Sequence, residues 1–160
     1  MTTAAHTPRA KEVKHKEATA ILRADHKHVS DLFEQFENAE GRAKKEKIAH
    51  EICNELTVHA QIEEEIFYPA IRDVLDDKEL LPEAEVEHGT LKVLIGDIES
   101  SGADDELFAA RVKVLGEYVK HHVKEEQNEI FPQVRDSNLD MVELGALLTQ
   151  RKEELKKQLG

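Results

Sequence analysis

The sequence predicts an all-α protein built from an antiparallel up-down four-helix bundle, with one further helix at its C-terminal end. Three observations point there. Apolar residues recur at spacings of three and four over long stretches, which puts them on one stripe of a helix. No segment alternates at period two for long, as a half-buried strand would. The chain also repeats itself at a spacing of about one helical hairpin, and short connections make successive helices antiparallel neighbours.

Residues 1 to 18 are polar, basic and without periodicity, and read as a disordered tail. From Ala18 the stripe Leu22, His26, Val29, Phe33 and Phe36 marks a first helix, broken at Gly41. Ile48, Ile52, Leu56, His59, Ile62, Ile66 and Ala70 mark a second, in which Pro69 is expected to kink or loosen the end. Asp76, Asp77 and Lys78 read as a connection. Ala84, His88, Leu91 and Ile95 mark a third helix, ended by Ser100, Ser101 and Gly102. Val112, Leu115, Val119, His122 and Ile130 mark a fourth, closed at Ser137 and Asn138. Met141 to Leu159 reads as the additional helix. The organisation expected is a tail over 1–18, a bundle over 19–138 and a C-terminal helix over 139–160.

The repeat is specific. His59 to Asp73 and His122 to Asp136 share the pattern H-x3-E-x5-P-x2-R-D at an offset of 122 − 59 = 63. Upstream, Asp25-His26 matches Glu87-His88 at an offset of 88 − 26 = 62, and Leu32-Phe33 and Glu37 match Leu94-Ile95 and Glu99. Each half is therefore a hairpin with a lone His on its first helix and His-x3-Glu on its second.

Composition narrows the partners. With 22 Lys plus Arg against 34 Asp plus Glu, the net charge is −12, which repels phosphate backbones and anionic lipid. Nucleic-acid and membrane-surface partners are disfavoured. The single cysteine, Cys53, excludes an internal disulfide and a cysteine-built zinc site, and fits a reducing compartment. No apolar run reaches signal-peptide or membrane-spanning length. A cytoplasmic protein is expected.

Nine histidines carry the functional signal. His59 and Glu63, and likewise His122 and Glu126, are four apart and share a helix face. Together with His26 and His88 they fall on or beside the apolar stripes, where imidazoles and carboxylates are costly without partners. At 1.5 Å per residue both hairpins bring their histidines to similar depth. His26, His59, Glu63, His88, His122 and Glu126 are therefore expected to converge. Imidazole with carboxylate and without thiolate suits iron, zinc or manganese. Four His and two bridging Glu outnumber the ligands of one ion and fit two. Two Fe ions are the first expectation and zinc the main competitor.

These residues carry a resemblance. The chain resembles the hemerythrin-like (HHE cation-binding) family over residues 20 to 137, through His26, His59-x3-Glu63 with Phe67-Tyr68-Pro69, His88, and His122-x3-Glu126 with Ile130-Phe131-Pro132. The resemblance implies a four-helix bundle with a non-haem di-iron centre that binds or reacts with oxygen, peroxide or nitric oxide. It also marks a departure. Oxygen carriers have a second His four residues after the one on the third helix, where this chain has Lys92, and end their last motif with Asp one residue further on, where this chain has Glu126 at the shorter spacing. Fewer imidazoles imply an open position near Lys92 and turn the expectation from oxygen carriage toward peroxide consumption. A non-catalytic iron-sensing, iron-holding or oxygen-binding module is the alternative.

The remaining candidates read as structural. His28 and His50 point about 180–200° away from the ligand face and His6 and His15 lie in the tail. His121 is about 100° off that face, beside the site or on the surface. Glu64 and Glu125 are spare carboxylates next to the site. Cys53 reads as a buried, unreactive thiol. Phe33, Phe36, Phe67 and Phe131 read as core residues that also keep the pocket dry.

Overall fold

The computed structural model describes residues 16–159, and these contain helices and no strand. Helix α1 (Ala18–Asn38) starts where the Glu17 carboxylate accepts from the backbone N–H of Ala20 at 2.7 Å and of Thr19 at 3.2 Å, filling two of the donors that a helix start leaves open. Gly41, at φ +90°, turns the chain into α2 (Arg42–Ile62), a conformation that side chains with a Cβ rarely adopt. Residues 1–15, and with them His6, His15 and most of the expected tail, lie outside the described part.

Helix α2 does not simply run on. Over Glu63–Phe67 it widens into one π-helical turn, closed by the Tyr68 N–H on the Glu63 carbonyl, before the short α3 (Tyr68–Ile71). The same occurs in the second half. After α4 (Leu80–Ser100) and α5 (Phe108–Glu125), a π-helical turn over Glu126–Ile130 is closed by the Phe131 N–H on the Glu126 carbonyl and leads into α6 (Phe131–Arg135). Pro69 and Pro132 come just after these turns. Proline has no N–H and its ring crowds the carbonyl four residues back, and a wider turn relieves both. The extra residue rotates the helix beyond it. Phe67 and Ile71 are fully buried, whereas Ile66 and Ala70, the residues picked out by unbroken spacing, are only partly so.

Helices α1 and α2 pack as one hairpin and α4 and α5 as another. The hairpins meet through α2 against α4 and α1 against α5. Helix α7 (Met141–Leu159) lies across the first hairpin, against α1 and α2. A Cβ on Gly145 would stand 2.1 Å from the Lys16 carbonyl, so glycine is what lets α7 approach the start of α1.

The apolar core is in two parts. One gathers Leu22, Val58, Ile62, Phe67, Ile71, Phe131 and Leu148; the other gathers Val29, Leu32, Phe36, Ile52, Leu91, Ile95 and Leu115. On every long helix of the two hairpins a histidine stands between them: His26 between Leu22 and Val29, His59 between Leu56 and Ile62, His88 between Ala84 and Leu91, His122 between Val119 and Ile130. A polar layer thus divides the core.

Candidate metal centre

All six residues expected to converge are buried in this layer, with Glu63 and Glu126 at 0% exposure. Glu63 Oε1 lies 3.2 Å from His59 Nε2, 3.3 Å from His88 Nε2 and 3.9 Å from His122 Nε2. Glu126 spreads its two oxygens: Oε1 is 3.2 Å from His26 Nε2 and Oε2 is 3.3 Å from His122 Nε2. The donors fall into two groups, His26, His59, Glu63 and Glu126 in one and Glu63, His88 and His122 in the other, each with its ligand atoms within 4.8 Å of one another. Glu63 belongs to both.

Regular helix runs up to each glutamate, so the i, i+4 spacing from His59 and His122 turns Glu63 and Glu126 inward. Each π-helical turn begins at the glutamate and displaces the residues beyond it.

A second ring of residues orients the imidazoles. His59 Nδ1 pairs with Asp25 at 2.9 Å and His122 Nδ1 with Glu87 at 2.9 Å. His26 Nδ1 meets Gln127 Oε1 at 2.8 Å and His88 Nδ1 meets Glu64 Oε2 at 3.4 Å. These partners obey the sequence repeat, since 25 + 62 = 87 and 64 + 63 = 127. With Nδ1 held outward, each Nε2 faces the centre, which is how metal-binding histidines are fixed.

The inward atoms fit a cation. His26 Nε2, His59 Nε2, both Glu63 oxygens and Glu126 Oε1 are buried without a hydrogen-bond partner, a costly state for polar atoms. Two carboxylates and four imidazoles with no thiolate are the donor set of iron, manganese or zinc. Protons take the cation's part otherwise. Burial opposes charge on His59, but the Glu63 carboxylate and the hydrogen bond to Asp25 raise its pKa to about 10. Burial likewise opposes charge on His122, and the adjacent Glu126 and Glu63 carboxylates raise its pKa to about 12. Burial pushes Glu63 upward, but the His59 charge and the nearby His122 and His88 imidazoles hold it well below the ordinary carboxyl value.

Tyr68 belongs to the centre and was given no role by its sequence. Its hydroxyl donates to Glu126 Oε2 at 2.6 Å and lies 3.3 Å from His88 Nε2 and 3.4 Å from His122 Nε2. Burial, then the carboxylates of Glu126 and Glu63, push its ionisation well above the usual phenol value. A signal was present: at an offset of 63 the repeat pairs Tyr68 with Phe131, so one half carries a hydroxyl that the other lacks. Phe131 instead stacks on His26, with centroids 5.9 Å apart and planes at 4°.

Lys92 does not reach inward. It is 57% exposed on its side chain and pairs with Glu64 at 2.5 Å. Glu64 is half-buried and acts on His88 from outside. Exposed His28 lies 3.8 Å from Glu55, and exposed His50 meets Asn54. His121 is exposed beside Glu87 and Glu125. Cys53 is fully buried, and burial, helped by Glu99, pushes its thiol up to about 12. Of the phenylalanines, Phe36, Phe67 and Phe131 are buried and Phe33 is partly so. A cavity of about 20 Å³ adjoins the four histidines and is otherwise walled mainly by Val29, Leu56, Leu91, Val119 and Val123.

The chain belongs to the hemerythrin HHE cation binding domain family, whose profile matches residues 17–134. Among solved structures it is similar to a hemerythrin HHE cation binding domain-containing protein from Mycobacterium kansasii, with a TM-score of 0.76 and 20% identity over 89% of each chain; that likeness shows a hemerythrin-like fold. It is also 29% identical over 120 residues to a protein named DNA nickase from Nostoc sp., a match that covers 73% of this chain and 33% of that protein. The chain thus spans about a third of that relative's length. No described helix is long and apolar enough to cross a membrane.

Proposed function

We propose that this chain is a non-haem di-iron protein of the cytoplasm that reacts with a small oxygen species, peroxide first among oxygen, peroxide and nitric oxide. Its two hairpins would form an antiparallel up-down four-helix bundle, with α7 as the additional helix. The observation that carries the reading is the convergence of six buried donors whose inward atoms lack hydrogen bonds. His26 and His59 would hold one iron, His88 and His122 the other, and Glu63 and Glu126 would link them. Bound iron would supply Lewis acidity and reversible one-electron chemistry.

The chain's own residues do the rest. Asp25, Glu87, Gln127 and Glu64 hold the imidazoles by Nδ1, which keeps Nε2 unprotonated and inward when a cation is present. Tyr68 steadies Glu126 and keeps a proton at its hydroxyl, within reach of both second-half histidines. The cavity beside the histidines is about 20 Å³, on the scale of a water molecule, which favours the smallest ligands. Phe67 and Phe131, both fully buried, exclude water from the far side. The nickase activity named for the Nostoc protein is not carried over, because most of that protein lies beyond the match and this chain's charge of −12 opposes DNA.

Elemental analysis of protein purified without chelator tests the centre: two irons per chain are expected, and a reproducible single zinc would reject the di-iron reading. An oxygen electrode tests the chemistry. Oxygen evolution from hydrogen peroxide above that of free iron is expected, whereas a stable, reversible oxygen-bound spectrum without it would restore oxygen carriage.

A further inference from the structure

The two hairpins match around the centre but not on their outer faces. In the first, the repeat positions 58 and 62 are Val58 and Ile62, buried in one apolar cluster with Leu144 and Leu148 of α7. Helix α7 also sends Lys152 to the Asp25 carboxylate, so the oxygen of Asp25 not used by His59 meets an ammonium. In the second hairpin, 58 + 63 = 121 and 62 + 63 = 125, and these positions are His121 and Glu125. No helix of the described residues lies over them as α7 lies over the first pair. Glu87, the counterpart of Asp25, gives one oxygen to His122 and turns the other outward.

That outer oxygen, Glu87 Oε2, is 3.5 Å from His121 Nε2, which is 3.3 Å from Glu125 Oε1. All three ligand atoms lie within 4.8 Å of one another. The first hairpin therefore answers its outer carboxylate with a fixed ammonium, and the second sets two carboxylates around one imidazole at a solvent-facing edge. We propose that Glu87, His121 and Glu125 form a separate surface site for a divalent transition-metal ion, which takes the place relative to Glu87 that the Lys152 ammonium has relative to Asp25. Two oxygens and one nitrogen suit Zn²⁺, Fe²⁺ or Mn²⁺, with water completing the shell. His121 lies at i, i+4 from Glu125 on α5, so helix geometry sets two of the three ligands.

The site adjoins the buried centre through one carboxylate. A cation on Glu87 Oε2 draws charge from the same group that holds His122 Nδ1, so filling the surface site weakens that hold and alters the His122 ligand. This coupling rests on the metal-centre reading above; the surface site itself does not.

The test uses the full chain with its buried centre saturated with Zn²⁺, and then measures uptake of further Zn²⁺ by calorimetry. Wild type is expected to bind one more equivalent than His121→Ala, and Glu125→Gln is expected to weaken that added site at least tenfold. Both substitutions are at the surface, so unfolding temperatures should be unchanged. Glu63→Ala supplies the control: it should lose buried metal and still show the surface uptake, so failure of the centre and failure of the surface site are told apart. Equal uptake by wild type, His121→Ala and Glu125→Gln overturns the proposal. So does a His121 imidazole NMR signal of the wild type that Zn²⁺ leaves unmoved, a readout that needs no variant.

Discussion

The first hairpin and the second present nearly the same atoms to the centre and different atoms to everything else. Inward, each supplies two imidazoles and one carboxylate. Outward, the first is covered by α7 and held by Asp25, Gln127, Lys152 and the stacked Phe131. The second is open and held by Glu87 and Glu64, with Tyr68 beside it. A carboxylate on Nδ1 makes an imidazole a stronger ligand than an amide does. The two second-half histidines both have one, and of the first-half pair only His59 does. The duplication therefore fixes ligand type, while the surroundings make the two positions electrostatically unequal.

The most severe way to break the comparison is to remove the group common to both halves. Glu63 lies in both donor groups, so Glu63→Ala should release most of the metal from both positions. Leaving buried charge unpaired costs about 3–5 kcal/mol. Glu126→Ala should do nearly as much, and exposed His50→Ala should do neither. Metal content and thermal unfolding report both. Release of metal by His50→Ala as readily as by Glu63→Ala would mean that the helix faces are wrongly assigned.

Much of this layer was legible in the sequence because its signal is doubled. His26, His59, Glu63, His88, His122 and Glu126 each have a repeat partner, and helical spacing places all six inward. What spacing does not report is a change in the helix itself. Ile66 and Ala70 continue the stripe of α2 in an unbroken helix, but the turn over Glu63–Phe67 carries one extra residue and hands the core to Phe67 and Ile71. Pro69 signalled a disturbance without its form. The partners of two Nδ1 atoms were hidden for another reason: Gln127 and Glu64 act across the molecule, on a histidine of the opposite hairpin, so spacing along one helix placed Glu64 beside the site without its histidine and gave Gln127 no role.

A second test compares metal with protons. In chelator-treated protein the Glu63 and Asp25 carboxyls are held low, so their stabilisation is complete above about pH 4.5, the unfolded glutamate value, and is lost on acidification through the lowered folded values. His59 and His122 are raised to about 10 and about 12. Their stabilisation is complete below about pH 6.5 and is lost as pH rises through those values. Metal-free protein should be most stable between about pH 4.5 and 6.5 and weaken toward about pH 10. Metal-loaded protein should do the opposite over about pH 5 to 8, since metal must displace protons from the same imidazoles. Melting temperatures of both forms across this range measure it, and parallel curves would contradict it.

A smaller effect sharpens the asymmetry between Tyr68 and Phe131. Tyr68→Phe removes the donor on Glu126 Oε2 and should cost about 1–3 kcal/mol, the penalty for a buried acceptor left unpaired. Phe131→Tyr, at the matching position, would instead bury a hydroxyl in the apolar cluster around Leu22 and Leu148, and should also destabilise. If Tyr68→Phe were neutral in both unfolding temperature and metal content, the two halves would be closer to equivalent than their contacts suggest.

The smallest effect belongs to Lys92, the residue at which this chain departs from the oxygen carriers. One turn after His88, it has the right helix face for the centre. It spends that position on Glu64 at the surface, with its side chain 57% exposed. An exposed pair of this kind contributes about 0–1 kcal/mol. Its other effect is indirect, because Glu64 also touches His88 Nδ1. Lys92→Met should therefore leave iron content unchanged and shift the unfolding temperature little. Glu64→Gln should have the larger effect on peroxide turnover, since it takes the carboxylate from His88 and makes the second hairpin resemble the first, where Gln127 faces His26. If Lys92→Met abolished turnover while Glu64→Gln left it intact, the ammonium would have to act on the substrate itself, and the surface pairing would be only a resting arrangement.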